Sequence, residues 1–302
     1  MNTGNEDEPD PRQIRDHRRQ WRRCRYVYPV ISRRSRGLSI GVNLNPDKRC
    51  NFACVYCQID RRRLRGLTHV DLAVLRSELR FALLEATAGS LWEEDRFADT
   101  PEPLRRINDI AFSGDGEPTC LPNFDEAVEV AAMAKDEFGR DDVKLVVITN
   151  ASRMNEPQFR RALPTLDKHN GEIWAKLDAG TDAFFQRVNR PYPVVTLRHV
   201  LENIRMIARG RPIVIQSLFL RLEGTPPPPR EIDAYAKHLR EIVESGGKIK
   251  LVQIHTIARP PASATAAALS DEELDALAEK VRSAVPDVPV ETYYGADVPP
   301  QT

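Results

Sequence analysis

From about residue 105 onward the chain alternates short apolar runs with longer stretches of helical period, and this alternation limits its fold more than any other feature. The runs occupy 107–112, 145–148, 173–177, 213–220 and 249–257, and the helical stretches occupy 124–138, 158–166, 197–208 and 231–243. Runs that are apolar on both faces suit strands of a parallel sheet covered by helices, and each intervening stretch is long enough to cross back over such a sheet. Upstream, 38–44 (LSIGVNL) predicts a first strand, and Leu72, Leu75, Leu79 and Leu83 fall on one stripe of a helix over 71–86, which makes a sixth strand–helix unit. The last helix is predicted to open with Ser270 as N-cap, Glu273 completing a capping box and Leu269 and Leu274 placed as a hydrophobic staple; 288–294 predicts a closing strand. The proline-rich stretches 226–229 and 259–261 are predicted loops, because proline lacks the amide hydrogen that a helix or sheet uses. Repeated right-handed β/α units allow a doubly wound sheet or a full or partial barrel.

No stretch of eighteen apolar residues occurs, and the first residues lack the basic-then-apolar pattern of a secretory signal, so a soluble cytoplasmic protein without a membrane partner is expected. The net charge of zero is unevenly spread: residues 1–66 carry 16 Arg and Lys against 7 acids, concentrated at 12–36 and in Arg61, Arg62, Arg63 and Arg65. Such a segment can meet phosphates, and it reads equally as a solvated arm. The expected organisation is a disordered or loosely attached arm over 1–25, one core domain over 26–295 and a flexible tail over 296–302.

Five cysteines are present, Cys24, Cys50, Cys54, Cys57 and Cys120, with three inside eight residues, which is not a disulfide framework. Cys50-Asn-Phe-Ala-Cys54-Val-Tyr-Cys57 follows the first predicted strand and a short loop, where three thiolates can be directed at one point. Three thiolates hold a cubane cluster by three irons and leave the fourth open, whereas electron-transfer clusters use four cysteines. Two other readings stand beside this one. A zinc site would pair Cys54 with Cys57 and recruit Cys24, Cys120 or His255, giving a zinc-stabilised nucleic-acid-binding module, and an Fe-S electron carrier would recruit a fourth ligand such as Cys120. Ser113-Gly114-Asp115-Gly116-Glu117-Pro118-Thr119, just past the run at 107–112, supplies glycines for close backbone approach and an acid for a cation; by itself it is also a good turn. Polar pairs stand at the ends of later runs: Thr149 and Asn150, Lys176 and Asp178, Gln216 and Ser217, Gln253 and His255. Strand ends are where β/α folds place their active sites.

The spacing C-x3-C-x-aromatic-C, with Tyr56 as the aromatic, together with Gly116-Glu117-Pro118, resembles the radical S-adenosylmethionine (SAM) superfamily. The resemblance implies a partial (β/α)6 barrel of the TIM type and two cofactors, a 4Fe-4S cluster on Cys50, Cys54 and Cys57 and SAM on its open iron. It implies that an electron from the reduced cluster splits SAM into methionine and a 5'-deoxyadenosyl radical that abstracts hydrogen from substrate, and that a flavodoxin- or ferredoxin-like donor supplies the electron. Carried over residue by residue, Tyr56 lies by the adenine, Gly116 and Glu117 receive the SAM ammonium group, and Asn150, Asp178 and Ser217 bind its ribose and carboxylate. Lys176, Gln216, Gln253 and His255 then face substrate. Over about 36–295, the segments 112–119, 176–181 with 188–191, and 252–261 are similar to the Fe-S oxidoreductases related to the wyosine-forming tRNA enzyme, 4-demethylwyosine synthase. That relative has three extra cysteines before the motif for a second cluster. Here only Cys24 precedes it, so the resemblance carries tRNA as a substrate class without the pyruvate chemistry.

Overall fold

The computed structural model describes residues 21–59, 69–261 and 263–295, which fall in two compact units. Described residues of the first lie within Met1–Arg49, Arg65–Ile148 and Pro157–Glu172, and those of the second within Cys50–Leu64, Thr149–Glu156 and Ile173–Thr302. Residues 1–20, the arginines at 61–65 and the tail 296–302 lie outside the described residues.

In the first unit the strands Val27–Ser32 (β1), Gly37–Val42 (β2), Ile107–Phe112 (β3) and Lys144–Thr149 (β4) run in that order, β1 antiparallel to β2 and the rest parallel. The helices Leu72–Ala88 (α1), Phe124–Glu137 (α2) and Pro157–Lys168 (α3) pack side by side. Phe124 joins the layers, meeting Phe112 edge-on at 5.8 Å and stacking on Phe159 at 6.0 Å. Asp71 caps α1 by accepting from the amides of Ala73 and Val74, which explains why the leucine stripe begins where it does. The strand β1 departs from the sequence expectation: Pro29 interrupts its run and arginines flank it. Its place next to a single partner tolerates the missing amide, and the Tyr28 ring covers Gly41, its cross-strand partner, so closely that a Cβ there would stand 2.4 Å from the ring.

The chain is anchored from Trp21, earlier than expected. Trp21 is buried and stacks on Phe81 at 5.1 Å, and Arg22 pairs with Glu85 at 2.6 Å and with Glu94 at 2.9 Å. The Glu78 carboxylate accepts from three successive amides, those of Arg25, Tyr26 and Val27, at 2.7, 2.8 and 3.1 Å.

In the second unit Gly171–Lys176 (β5, apart from its first two residues), Ile213–Leu218 (β6), Ile249–His255 and Val290–Tyr293 lie in that order, each parallel to the next. Asp182–Val188 and Leu197–Gly210 connect the first two, Pro229–Glu244 the next and Asp271–Ala284 the last. The capping box at Ser270 and Glu273 forms as its spacing predicts, and Leu269 and Leu274 are buried beside it. Pro229, expected in a loop, opens a helix instead, since the first helical position needs no amide hydrogen. A two-residue pair, Arg221–Leu222 with Ala266–Ala267, lay below the length that periodicity can detect.

Asp109 sits on β3 facing Ser39, whose hydroxyl donates to it, and burial pushes its carboxyl up to about 6. Because the folded value lies above that of an exposed aspartate, the stability linked to this group is fully present below about pH 4 and is lost as the pH rises through about 6. Asp109→Asn should therefore gain on the wild type by about 2–3 kcal/mol between pH 4 and pH 7.5 in urea denaturation. The same stability difference at both pH values would contradict this.

Candidate functional site

The cysteine loop is held by the backbone of residues 188–192. Ala53 N–H donates to Arg190 O at 3.0 Å, Val55 N–H to Val188 O at 2.8 Å, and Tyr192 N–H to Asn51 O at 2.9 Å. Phe52 bridges Pro191 and packs edge-on against Phe185 at 5.6 Å. Inside the loop, Phe52 N–H donates to Cys50 Sγ at 3.4 Å and Cys57 N–H to Cys54 O at 3.0 Å. Asn51 ties the loop to the segment 149–156 of the same unit: its amide donates to Ser152 Oγ at 2.7 Å, and Asn150 donates to its carbonyl at 2.8 Å. Cys50, Cys54 and Cys57 are half-buried, in no disulfide, and belong to the second unit; Cys24 and Cys120 belong to the first.

Among the described residues, which include all five cysteines and His255, no three His, Cys, Asp or Glu side chains are placed to hold one metal ion. A cubane presents separate iron corners, so three ligands for it need not converge as ligands for one ion must.

Asp178, just past β5, organises the polar residues around this loop. Its Oδ2 accepts from the Tyr56 hydroxyl and from Asn189 Nδ2 at 2.9 Å, and its Oδ1 accepts from Leu218 N–H at 2.9 Å and pairs with Lys176 Nζ at 3.4 Å. Lys176 Nζ also stands 5.1 Å from the centre of the Tyr56 ring, a cation over an aromatic face. Burial, reinforced by the Asp178 charge, raises the Tyr56 phenol well above its ordinary range and pushes the Cys54 thiol up to about 11.

The other residues singled out from sequence divide by unit. In the second, Asn150 Oδ1 accepts from Ser152 N–H at 3.1 Å and Oγ at 2.6 Å, Ser217 Oγ pairs with Tyr235 Oη at 2.6 Å, and Gln216 donates to Gln253 at 3.1 Å. All of these are buried, while Lys176 and His255 keep partial exposure. In the first unit, Glu117 N–H donates to Arg49 O at 3.1 Å, one residue before Cys50 in the chain, and Glu117 Oε1 accepts from Thr119 N–H and Oγ1 at 3.1 and 2.7 Å. The segment is thus also the turn that its glycines and proline suggest. Asp115 is taken by Asn43, which donates to it at 2.9 Å and accepts from its amide at 3.1 Å. Sequence reasoning missed Asn51, Ser152, Asn189 and Tyr235. Only Asn189 left a signal, lying in the segment 188–191 that carries the family resemblance.

With this geometry in hand, comparison with known proteins gives consistent results. The family description "Radical SAM superfamily" matches residues 44–223, more than half of the chain. A UPF0026 protein of Helicobacter pylori (strain ATCC 700392 / 26695) is 27% identical over 252 residues, 82% of this chain and 70% of that protein. A radical SAM methyltransferase from Sphaerobacter thermophilus superposes with a TM-score of 0.59 at 15% identity, covering 89% of this chain and 69% of that one. A structure of TYW1 with a lysine-pyruvate adduct bound gives 0.51 at 16% identity, covering 82% of this chain and 74% of that one. These likenesses establish the α/β partial-barrel fold that the sequence led us to expect.

Gly116 is where backbone meets backbone: a Cβ would stand 1.9 Å from Arg49 O and 2.6 Å from Asn45 Cβ, so any side chain forces the turn away from the segment 45–49 that leads into the cysteine loop. Gly116→Ala is expected to cost about 1–3 kcal/mol in urea denaturation and to strip the Glu117 amide of its hydrogen-exchange protection. An unchanged midpoint with full protection would show that the turn yields without cost.

Proposed function

The chain belongs to the radical SAM superfamily, and on that premise we propose that it binds a 4Fe-4S cluster through Cys50, Cys54 and Cys57 and SAM beside it, and so starts a radical reaction. The observation that carries this reading is the donor set: three thiols within eight residues on one anchored loop. When bound, the cluster supplies the electron that breaks a carbon–sulfur bond of SAM, giving methionine and a carbon radical that takes hydrogen from a substrate. A flavodoxin- or ferredoxin-like protein is the corresponding reductant.

The chain's own residues bind and orient. Gly116 and Glu117 offer a close backbone and a buried carboxylate to the SAM ammonium group. Tyr56 presents its ring at the loop, fixed through its hydroxyl by Asp178, for contact with the adenine. Asn150, Asp178 and Ser217 hold the ribose and carboxylate side of the cofactor, acting largely through the neighbours they position. Lys176 and His255, partly exposed at strand ends, face the substrate, with Gln216 and Gln253 behind them. An electron carrier would need a closed fourth position, and a zinc module would need further ligands on the same ion. In anaerobically reconstituted and reduced protein, SAM should be cleaved to 5'-deoxyadenosine and methionine, and Cys54→Ala should abolish this. Undiminished 5'-deoxyadenosine from the variant would sink the assignment.

A narrower reading, that the substrate is tRNA, is favoured by the surplus of nine positive charges in residues 1–66. Binding by such a segment is electrostatic, so tRNA affinity should fall roughly tenfold or more between 50 and 200 mM salt. Replacing Arg61, Arg62, Arg63 and Arg65 by alanine should weaken binding and give a shallower salt slope. Equal affinities in a fluorescence anisotropy titration would remove these arginines from recognition.

A further inference from the structure

Asn189 follows the helix Asp182–Val188 and is 2% exposed, and the proposed function uses it for nothing. Its Nδ2 lies 2.9 Å from Asp178 Oδ2 and 3.7 Å from Cys54 Sγ, so the two hydrogens of one amide nitrogen are divided between a carboxylate and a cysteine sulfur. The orientation is not arbitrary. Turning the amide over would set its carbonyl against the Asp178 carboxylate, acceptor against acceptor, in a buried place. As it stands, the carbonyl Oδ1 is buried without a hydrogen-bond partner, a cost accepted to keep both N–H groups where they are. The backbone is fixed as well, since Asn189 N–H donates to Phe185 O at 2.9 Å and the neighbouring Val188 carbonyl accepts from Val55 in the cysteine loop.

We propose that Asn189 is a positioning residue that tunes the reduction potential of the cluster held by Cys54, anchoring one N–H on Asp178 and donating the other to the ligating sulfur. The inference rests on the cluster assignment of the preceding subsection. Reduction adds negative charge that spreads onto the cysteine sulfurs, and a hydrogen bond to such a sulfur stabilises the more negative state. The amide therefore raises the potential and eases entry of the electron. Phe52 N–H at 3.4 Å from Cys50 Sγ does the same at a second sulfur, but it is a backbone donor that no side-chain substitution removes. Asn189 donates through its side chain, so a substitution can remove this bond.

The test uses the full chain, reconstituted anaerobically, with iron and sulfide content and the electron paramagnetic resonance signal of the reduced cluster as the first readings. Wild-type protein that takes up no 4Fe-4S cluster overturns the functional reading and this inference with it. Given a cluster, potentiometric titration should show Asn189→Ala shifted to a more negative midpoint, with the ratio of reduced to oxidised cluster at fixed potential lowered by about three- to tenfold. A midpoint equal to that of the wild type, with the cluster intact in both, overturns the inference and leaves the cluster assignment standing. Should the variant not fold or not hold its cluster, wild-type protein labelled with 15N in the asparagine side-chain amide decides by pulsed resonance. A 15N coupling to the reduced cluster is expected, and its absence overturns the inference.

Discussion

The second unit is arranged around the problem of burying one carboxylate. Asp178 is 3% exposed, and an ionised carboxyl with unmet lone pairs in such a place would cost several kcal/mol. The chain meets this by bringing donors from four separate places, the Tyr56 hydroxyl in the cysteine loop, Lys176 on β5, Asn189 after the next helix and the backbone of Leu218 at the end of β6. Each donor is thereby fixed relative to the others, and the loop bearing the three cysteines is among them. The connection that carries Asp178, between Gly171–Lys176 and Asp182–Val188, is itself clamped. Buried Glu231 accepts from Gly180 N–H, from Thr181 N–H at 3.1 Å and from Thr181 Oγ1 at 2.6 Å. Gly180 approaches the helix Pro229–Glu244 so closely that a Cβ would lie 2.3 Å from Tyr235 N.

This explains what could and could not be seen in the sequence. Strands such as 107–112 and helices such as 124–137 announce themselves because their residues are apolar for a reason internal to the element, namely burial on one or both faces, and the caps at Asp71 and Ser270 are local by construction. The helix over 157–168 is read correctly in spite of Pro164 because its buried residues Phe159, Ala162 and Leu166 keep helical spacing through it. By contrast, β1 carries a proline and arginine neighbours, and what makes it a strand is a pairing register with 37–42 that periodicity does not encode. The cysteines are legible because three ligands in eight residues form a local pattern. Asn189 stands 135 positions from the sulfur it touches, and Asn51 stands 101 from Ser152, so local spacing does not reveal the partner of either residue.

The strand-end polar residues illustrate a second limit. Position at strand ends makes them candidates for a site, yet most are already hydrogen-bonded inside the protein: Gln216 with Gln253, Ser217 with Tyr235, Asn150 with Asn51 and Ser152. A ligand that took any of these groups directly would have to replace a bond already made inside the protein, and the net gain from such an exchange is small. These residues are better suited to holding the groups that do touch a ligand. Lys176 is the exception, with its ammonium group between the Tyr56 ring and Asp178 and a side chain 19% exposed. It is the strand-end cation best placed to meet a molecule at the loop.

The same reasoning applies to the loop that bears the three cysteines, which is fixed from outside. Its backbone is paired to 188–192, Asn51 is bonded to Ser152 and Asn150, and Tyr56 is bonded to Asp178, so each cysteine is flanked by a residue that other elements already hold. Each of these bonds is worth about 1 kcal/mol, so moving the loop as a whole would break several at once. The contacts made by the residues between the cysteines, rather than by the thiols themselves, therefore set where the loop stands.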